Sequence, residues 1–176
     1  MNNLKEMFAS EFVSVTGGVA AGTLLAFYTD KLQLIPGLFI LMPGFLAMRG
    51  SIAASLAARI SAALHLKNKT ADTESSMFGR QNVHASFLLA LVASLILGLV
   101  AYLATLLVFH INSPGILLIS IIAAFISNLL MIPITFASTV WLFKRGYDPD
   151  NIMGPYITTV GDIVSIISLM VAIFLV

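Results

Sequence analysis

Long runs of apolar residues alternate with short polar segments along the chain, and charged residues mark where most runs end. Residues 12–29 carry no charge, and Lys31 and Arg49 enclose seventeen uncharged residues. Residues 81–143 contain no Asp, Glu, Lys or Arg, and this run is too long for one span because about 20 helical residues cross a bilayer core. The turn sequence Asn112-Ser113-Pro114-Gly115 divides it into two.

The pattern predicts an all-α integral membrane fold with five transmembrane helices. The expected spans are residues 12–29, 35–65, 83–109, 115–142 and 151–176, which form a single five-helix domain. Continuous apolar runs argue against the alternating strands of a membrane barrel. Before the last span, Asp148 is expected to cap the helix and Pro149 to lie in its first turn.

Composition supports a membrane protein and excludes several other classes. Hydrophobic residues make up 59% of the 176 residues and charged residues 10%, with a mean hydropathy of +1.02, which leaves too little polar surface for a soluble globule. A net charge of +1 offers no basic surface for nucleic acid. The lack of cysteine excludes disulfides, thiolate metal sites and cysteine catalysis. The polar start of the chain predicts no cleavable signal peptide.

Basic residues in the connecting segments predict the orientation of the spans in a cell membrane. With the N-terminus in the cytoplasm, Lys31 alone lies outside, as the positive-inside rule favours. The basic residues on the inner side are then Lys5, Lys67, Lys69, Arg80, Lys144 and Arg145. The same orientation places the C-terminus outside, in a multi-pass protein of the plasma membrane.

The second predicted span is longer than the bilayer core and carries a stripe of small residues. As a straight helix, residues 35–65 would extend about 46 Å, and Pro36 and Pro43 are expected to break it near its outer end. Small residues recur at spacings of three and four, which favours close packing against another helix. The stripe comprises Gly50, Ala53, Ala54, Ala57, Ala58 and Ser61.

One carboxylate, Asp162, lies inside the last apolar run. An acid in hydrocarbon is costly and indicates a functional site with a partner. Its helical face is polar and small, and contains Gly154, Thr158, Gly161, Asp162 and Ser165. Arg49 lies at a similar depth in the second span, so it is expected either to pair with Asp162 or to face a wet cavity.

Two stretches resemble the signature helices of the MgtE-type magnesium channels and their relatives, the solute carrier 41 transporters. The stretches are IPGLFILMPGFLAMRGSIAASLAARISAALHL and DPDNIMGPYITTVGDIV. The resemblance implies a dimer of two five-helix units whose pore is lined by helices two and five, with Asp162 at the cation site. The sequence departs from the bacterial pattern at Arg49-Gly50-Ser51, where Gly-Gly-Asn is usual, and no cytosolic magnesium-sensing domain is expected.

The predicted site combines oxygen ligands with a small-residue pore. Mg²⁺ prefers oxygen ligands and retains water, so two symmetry-related Asp162 carboxylates would suit a partly hydrated ion. The other expected ligands are the hydroxyls of Thr158, Thr159 and Ser165. The residues expected to line or gate the pore are Arg49, Gly50, Ser51, Ala54, Gly154, Pro155, Gly161 and Asn128. For Asn128, an interhelical hydrogen bond is the alternative interpretation.

Two classes of function therefore remain open. The first is transport of divalent cations, most simply Mg²⁺, by a homodimer in the lipid bilayer. The second is a non-transporting membrane subunit in which Arg49 and Asp162 form a structural ion pair that fixes assembly. An enzyme is not expected, because one acid without a positioned nucleophile is poor catalytic equipment.

Overall fold

The computed structural model describes residues 2–33, 35, 37–66 and 77–176. Within these residues the helices are, in chain order, α1 (Asn2–Phe27), α2 (Thr29–Gln33), α3 (Leu38–Leu66), α4 (Met77–Phe109), α5 (Gly115–Lys144) and α6 (Pro149–Leu175). All except α2 are long and apolar enough to span a bilayer. The described part of the chain contains no strand, so the predicted all-α class with five spans is confirmed.

Several helices extend beyond the predicted spans because a helix need not end where the lipid ends. α1 begins at Asn2 rather than at residue 12, and it includes the charged residues Lys5, Glu6 and Glu11. α4 begins at Met77 rather than at residue 83. Charges limit the apolar part of a span, whereas backbone hydrogen bonds can continue the helix into the polar layer.

The chain turns between α2 and α3 at Gly37. This residue has a φ of +90°, a conformation that side chains with a Cβ rarely adopt. Pro36, expected to break this span, lies outside the described residues, as do Lys67 and Lys69. The break expected at Pro43 is wrong, because α3 continues through it. Pro43 lies in the second turn of α3, so the carbonyl it leaves without a helical partner belongs to the first turn.

The core lies where α3, α5 and α6 pack against one another. α4 packs against α3 and α5, whereas α1 packs mainly against α6. In the most apolar stretch of α1 only 6% of the residues are buried, compared with 50% in the corresponding stretches of α5 and α6. Large side chains such as Leu41, Phe45, Ile116 and Ile119 fill the core. α1 is therefore a peripheral helix attached to α6.

Two features attach α1 to α6. Pro155 lacks the N–H that would bind the carbonyl of Asn151, and the Ser10 hydroxyl of α1 lies 3.2 Å from that carbonyl and 2.9 Å from the carbonyl of Met7, so that it can donate to either. Gly17 of α1 lies against Thr159, and a Cβ on Gly17 would coincide with Thr159 Cγ2. Ser10 and Gly17 thus allow α1 to pack closely against α6.

α6 begins as its sequence predicts. The Asp148 carboxylate accepts a hydrogen bond from the backbone N–H of Asp150 at 3.1 Å, and Pro149 is the first residue of the helix. This cap satisfies one of the N–H groups that a helix start leaves unpaired, and the fixed φ of proline suits the first turn. The predicted helix start at Asp148 is confirmed.

Candidate functional site between α3 and α6

Arg49 of α3 and Asp162 of α6 form an ion pair near the middle of the bundle. Arg49 Nη2 donates to Asp162 Oδ1 at 3.1 Å. Along the helix axes, Arg49 lies about 16 Å from the start of α3 and Asp162 about 20 Å from the start of α6. Both charges therefore lie deep within their helices, and the pairing expected from their similar depths is present.

A glycine makes room for this ion pair. A Cβ on Gly161 would coincide with Nη1 and Cζ of Arg49, so the guanidinium lies against bare helix backbone. In this notch, which we call the Gly161 notch, Nη1 also donates a long hydrogen bond of 3.5 Å to the carbonyl of Ile157. The position of the arginine thus depends on the absence of a side chain at Gly161.

The two members of the pair differ in exposure. The Arg49 side chain is 1% exposed, whereas the Asp162 side chain is 28% exposed. Arg49 Nε is buried and has no hydrogen-bond partner among the described residues. Asp162 is therefore much more accessible from outside the chain than Arg49.

The exposed side of Asp162 opens into a groove of about 520 Å³ between α3 and α6, which we call the α3–α6 groove. The α3 residues that line it are Leu46, Ala47, Arg49, Gly50, Ser51 and Ala54, and the α6 residues are Gly154, Ile157, Thr158 and Asp162. Most of these side chains are small. The sequence analysis missed Ala47, although it lies four residues before Ser51 and therefore on the same helical face.

The three predicted hydroxyl ligands lie in different surroundings. Thr158 is exposed in the α3–α6 groove, and its hydroxyl donates to the carbonyl of Gly154 at 3.0 Å. Thr159 packs against α1 and is 8% exposed, with its hydroxyl donating to the carbonyl of Pro155. Ser165 is fully buried, and its Oγ has no hydrogen-bond partner among the described residues. Only Thr158 of the three lines the groove.

Three residues predicted to line a pore are not among those that line the groove, namely Gly161, which lies against Arg49, and also Pro155 and Asn128. Pro155 lines a separate cavity between α1 and α6, and the carbonyl that its ring leaves without a helical partner lies 3.2 Å from the Ser10 hydroxyl. Asn128 is buried in α5, where its amide nitrogen donates to the carbonyl of Ala124 at 2.7 Å. This bond lies within one helix, whereas the bond considered for Asn128 was interhelical.

A second arginine on α3, Arg59, has a different environment. Its Nε donates to the carbonyl of Ser55 at 3.1 Å and its Nη2 to the Ser86 hydroxyl at 3.0 Å. Arg59 thus binds neutral oxygens on α3 and α4, whereas Arg49 binds a carboxylate. Among the residues that the structure describes, the hydrogen-bond partners found for Arg59 are thus neutral oxygens and not carboxylates.

Another group of metal-ligating side chains lies at the end of the bundle where α6 begins. His65, Asp148 and Asp150 place their ligand atoms within 4.8 Å of one another, and His65 Nε2 is 3.9 Å from Asp148 Oδ1. The same oxygen of Asp148 accepts the hydrogen bond that caps α6. Helix capping therefore accounts for the position of Asp148.

Fold and site together define a class of protein. Five apolar helices form a multi-pass membrane bundle in which a carboxylate is partly exposed in a groove of small and hydroxyl-bearing residues. Carboxylate and hydroxyl oxygens are ligands for hard cations such as Mg²⁺. An acid held at this depth is typical of proteins that move ions or protons.

Comparisons with known proteins place the chain in a family. The family model MgtE, described as a divalent cation transporter, matches residues 42–172. The chain therefore belongs to the MgtE family, which is a family of transporters and not of enzymes. It is also 29% identical over 161 residues to solute carrier family 41 member 2 of Gallus gallus.

The relative from Gallus gallus is a much longer protein. The aligned region covers 85% of this chain but only 27% of that relative, so the chain spans about a quarter of its length. No solved structure matches the chain. The resemblance to MgtE and solute carrier 41 proteins expected from the two signature stretches is confirmed.

Proposed function

We propose that this protein transports divalent cations, and Mg²⁺ in particular, along the α3–α6 groove, with Asp162 binding the ion. The observation that carries the proposal is the partly exposed carboxylate of Asp162 in a groove between two membrane-spanning helices. Membership of a family of divalent cation transporters supports the class of ion. Mg²⁺ enters as the transported substrate and not as a resident cofactor.

Asp162 and Thr158 are the proposed side-chain ligands. Mg²⁺ gives up its water reluctantly and is commonly held through one or two carboxylates with several waters retained. The groove volume of about 520 Å³ leaves room for a hydrated ion beside Asp162. Thr159 and Ser165 are buried against other parts of the bundle, so either would require a change in the packing of α6 to reach the ion.

We further propose that a second copy of the chain closes the groove. In a single chain, the exposed residues Ser51, Gly154 and Thr158 and the carboxylate of Asp162 would face hydrocarbon, which is costly for polar groups. A parallel homodimer with its two-fold axis along the membrane normal would bring two such grooves together. Two Asp162 carboxylates would then face one ion path.

The proposed orientation follows the charges of the connecting segments. With the N-terminus in the cytoplasm, Lys144 at the end of α5 and Arg145 in the link to α6 lie on the inner side of a plasma membrane. The link between α4 and α5 then lies outside. Labelling of single cysteines placed in these two links by a membrane-impermeant reagent would test this, because the natural chain contains no cysteine.

Flux measurement with Asp162→Asn tests the transport proposal. The substitution preserves shape but removes the charge, so Mg²⁺ influx into liposomes that hold the purified chain should fall about tenfold or more. Asp30→Asn is the control, since Asp30 is an exposed acid on the short helix α2, and its flux should stay near that of the unchanged protein. Normal flux in Asp162→Asn would remove Asp162 from the ion site.

A second candidate function is a membrane assembly subunit that transports no ion. The burial of Arg49 against Asp162 favours it, because a buried pair can specify how helices assemble. The two candidate functions predict different Mg²⁺ fluxes into liposomes that hold the purified chain as their only protein. A homodimer that gives no flux above empty liposomes, yet dissociates in Asp162→Asn, would support the assembly role.

A further inference from the structure

We infer that Arg49 is a built-in competitor of the transported cation, which neutralises Asp162 and sets the affinity of the site for divalent ions. The inference rests on the proposed function, because it takes Asp162 to be the ion-binding residue. It assigns to Arg49 a role in ion release in addition to any role in packing.

Access to the two charges is unequal. Both residues line the α3–α6 groove, but Asp162 is partly exposed there, whereas Arg49 is 1% exposed and lies in the Gly161 notch. An ion that enters the groove therefore meets the carboxylate with the guanidinium already bound to Oδ1. The ion and Arg49 share one negative charge.

Charge balance makes this sharing consequential. The pair carries no net charge, so the attraction of a divalent cation to Asp162 is partly offset by its repulsion from Arg49. In low dielectric surroundings these opposing contributions are larger than in water. A site of this kind binds weakly and releases readily, which conduction requires.

The hydrogen bonds of Arg49 indicate that the carboxylate is what holds it. A guanidinium has five N–H donors, yet Arg49 has one bond to Asp162, one long bond to the Ile157 carbonyl and a buried Nε without a partner among the described residues. Arg59 on the same helix uses its Nε to bind Ser55. Because Arg49 is held by Asp162, an ion that binds Asp162 must weaken the attachment of Arg49. By reciprocity, Arg49 must weaken the binding of the ion.

Mg²⁺-dependent thermal melting of the purified full chain tests the inference. The set comprises the unchanged protein, Arg49→Gln, Asp162→Asn, the double variant and Arg59→Gln. We expect Arg49→Gln to melt earlier without metal and to reach half of its Mg²⁺ stabilisation at about tenfold lower Mg²⁺. Asp162→Asn should remove the Mg²⁺ dependence of the melting temperature, both alone and together with Arg49→Gln. Arg59→Gln should keep the Mg²⁺ affinity of the unchanged protein because Arg59 does not contact Asp162.

A further variant, Gly161→Ala, retains both charges and keeps the test decisive if Arg49→Gln does not fold. The new Cβ occupies the position of the guanidinium, so Arg49 must leave the notch and Mg²⁺ affinity should rise as in Arg49→Gln. Unchanged or weaker Mg²⁺ affinity in the variants that fold would overturn the inference. Mg²⁺-dependent melting that survives in Asp162→Asn would instead remove Asp162 from the ion site and with it the proposed function.

Discussion

Gly17 of α1 and Thr159 of α6 are in such close contact that a Cβ on Gly17 would coincide with the Cγ2 atom of Thr159. The neighbouring residue Gly18 has nothing within 4 Å of the corresponding position. Two adjacent glycines of one helix therefore differ fully in their surroundings. The contact at Gly17 therefore lies in the interface between the peripheral helix α1 and α6.

We expect Gly17→Ala to destabilise the protein by about 1–3 kcal/mol, because it places a methyl group in a filled space. Gly18→Ala should be neutral or stabilising by up to about 1 kcal/mol, since alanine favours a helix over glycine. Thr159→Ala removes the atom that Gly17→Ala would meet, so the double variant should recover much of the loss. Reversible unfolding in mild detergent measures all four proteins, and equal losses in Gly17→Ala and Gly18→Ala would contradict the contact.

Substitution of Gly154 by leucine tests closure of the groove by a second copy. Gly154 is exposed in the α3–α6 groove with open space beside it, so leucine fits a single chain and favours its helix. Against a second copy the larger side chain should prevent close approach. We expect Gly154→Leu to shift the molecular mass in detergent from dimer to monomer.

Gly22→Leu is the matched control for the groove. Gly22 is also exposed with nothing within 4 Å, but it lies on α1. The mass of this variant should equal that of the unchanged protein. A dimer that persists in Gly154→Leu would show that the association surface lies elsewhere.

The two left-handed glycines predict different costs for the same substitution. Gly37 has a φ of +90° and its Cβ would meet Thr105 and Ile116, whereas Gly146 has a φ of +82° with open space around it. Gly146→Ala should cost about 1–2 kcal/mol for the left-handed backbone alone. Gly37→Ala should cost about 1–3 kcal/mol more, because overpacking adds to the backbone strain. Similar unfolding free energies for both variants would contradict the crowding at Gly37.

The cap of α6 predicts a modest and specific loss. Asp148→Ala removes the acceptor of the Asp150 N–H and should cost about 1 kcal/mol. Asp148→Asn keeps an acceptor oxygen, so it should lose only a small part of this. Thermal melting of the two variants at low salt separates the hydrogen bond from the charge. Equal losses would assign the effect to the charge of Asp148 instead.

The sequence was sufficient to predict that Arg49 either pairs with Asp162 or faces a wet cavity, but not the notch that holds the pair. Counting residues from the ends of two spans gives depth, and depth alone brought Arg49 and Asp162 together. Gly161 appeared only as one more small residue on a polar face. Its role depends on how α3 and α6 are rotated about their own axes, which side-chain packing decides and residue spacing does not.

The hydroxyl ligands illustrate the same limit. Thr158 and Thr159 were both expected at the ion, but successive residues of a helix point about 100° apart. Thr158 lies in the groove and Thr159 lies against Gly17. The sequence contained a relevant signal in Gly17, a small residue on α1, but its partner on α6 became identifiable only when the two helices were placed side by side.

The neutrality of the Arg49 and Asp162 pair has an electrical consequence. A charge that crosses a membrane potential exchanges about 2.3 kcal/mol with it per 100 mV. Because the two opposite charges are 3.1 Å apart, a rearrangement that carries both through the bilayer does almost no electrical work. If Asp162 binds the cation as proposed, the membrane potential would therefore act on the bound ion and hardly at all on the Arg49–Asp162 pair.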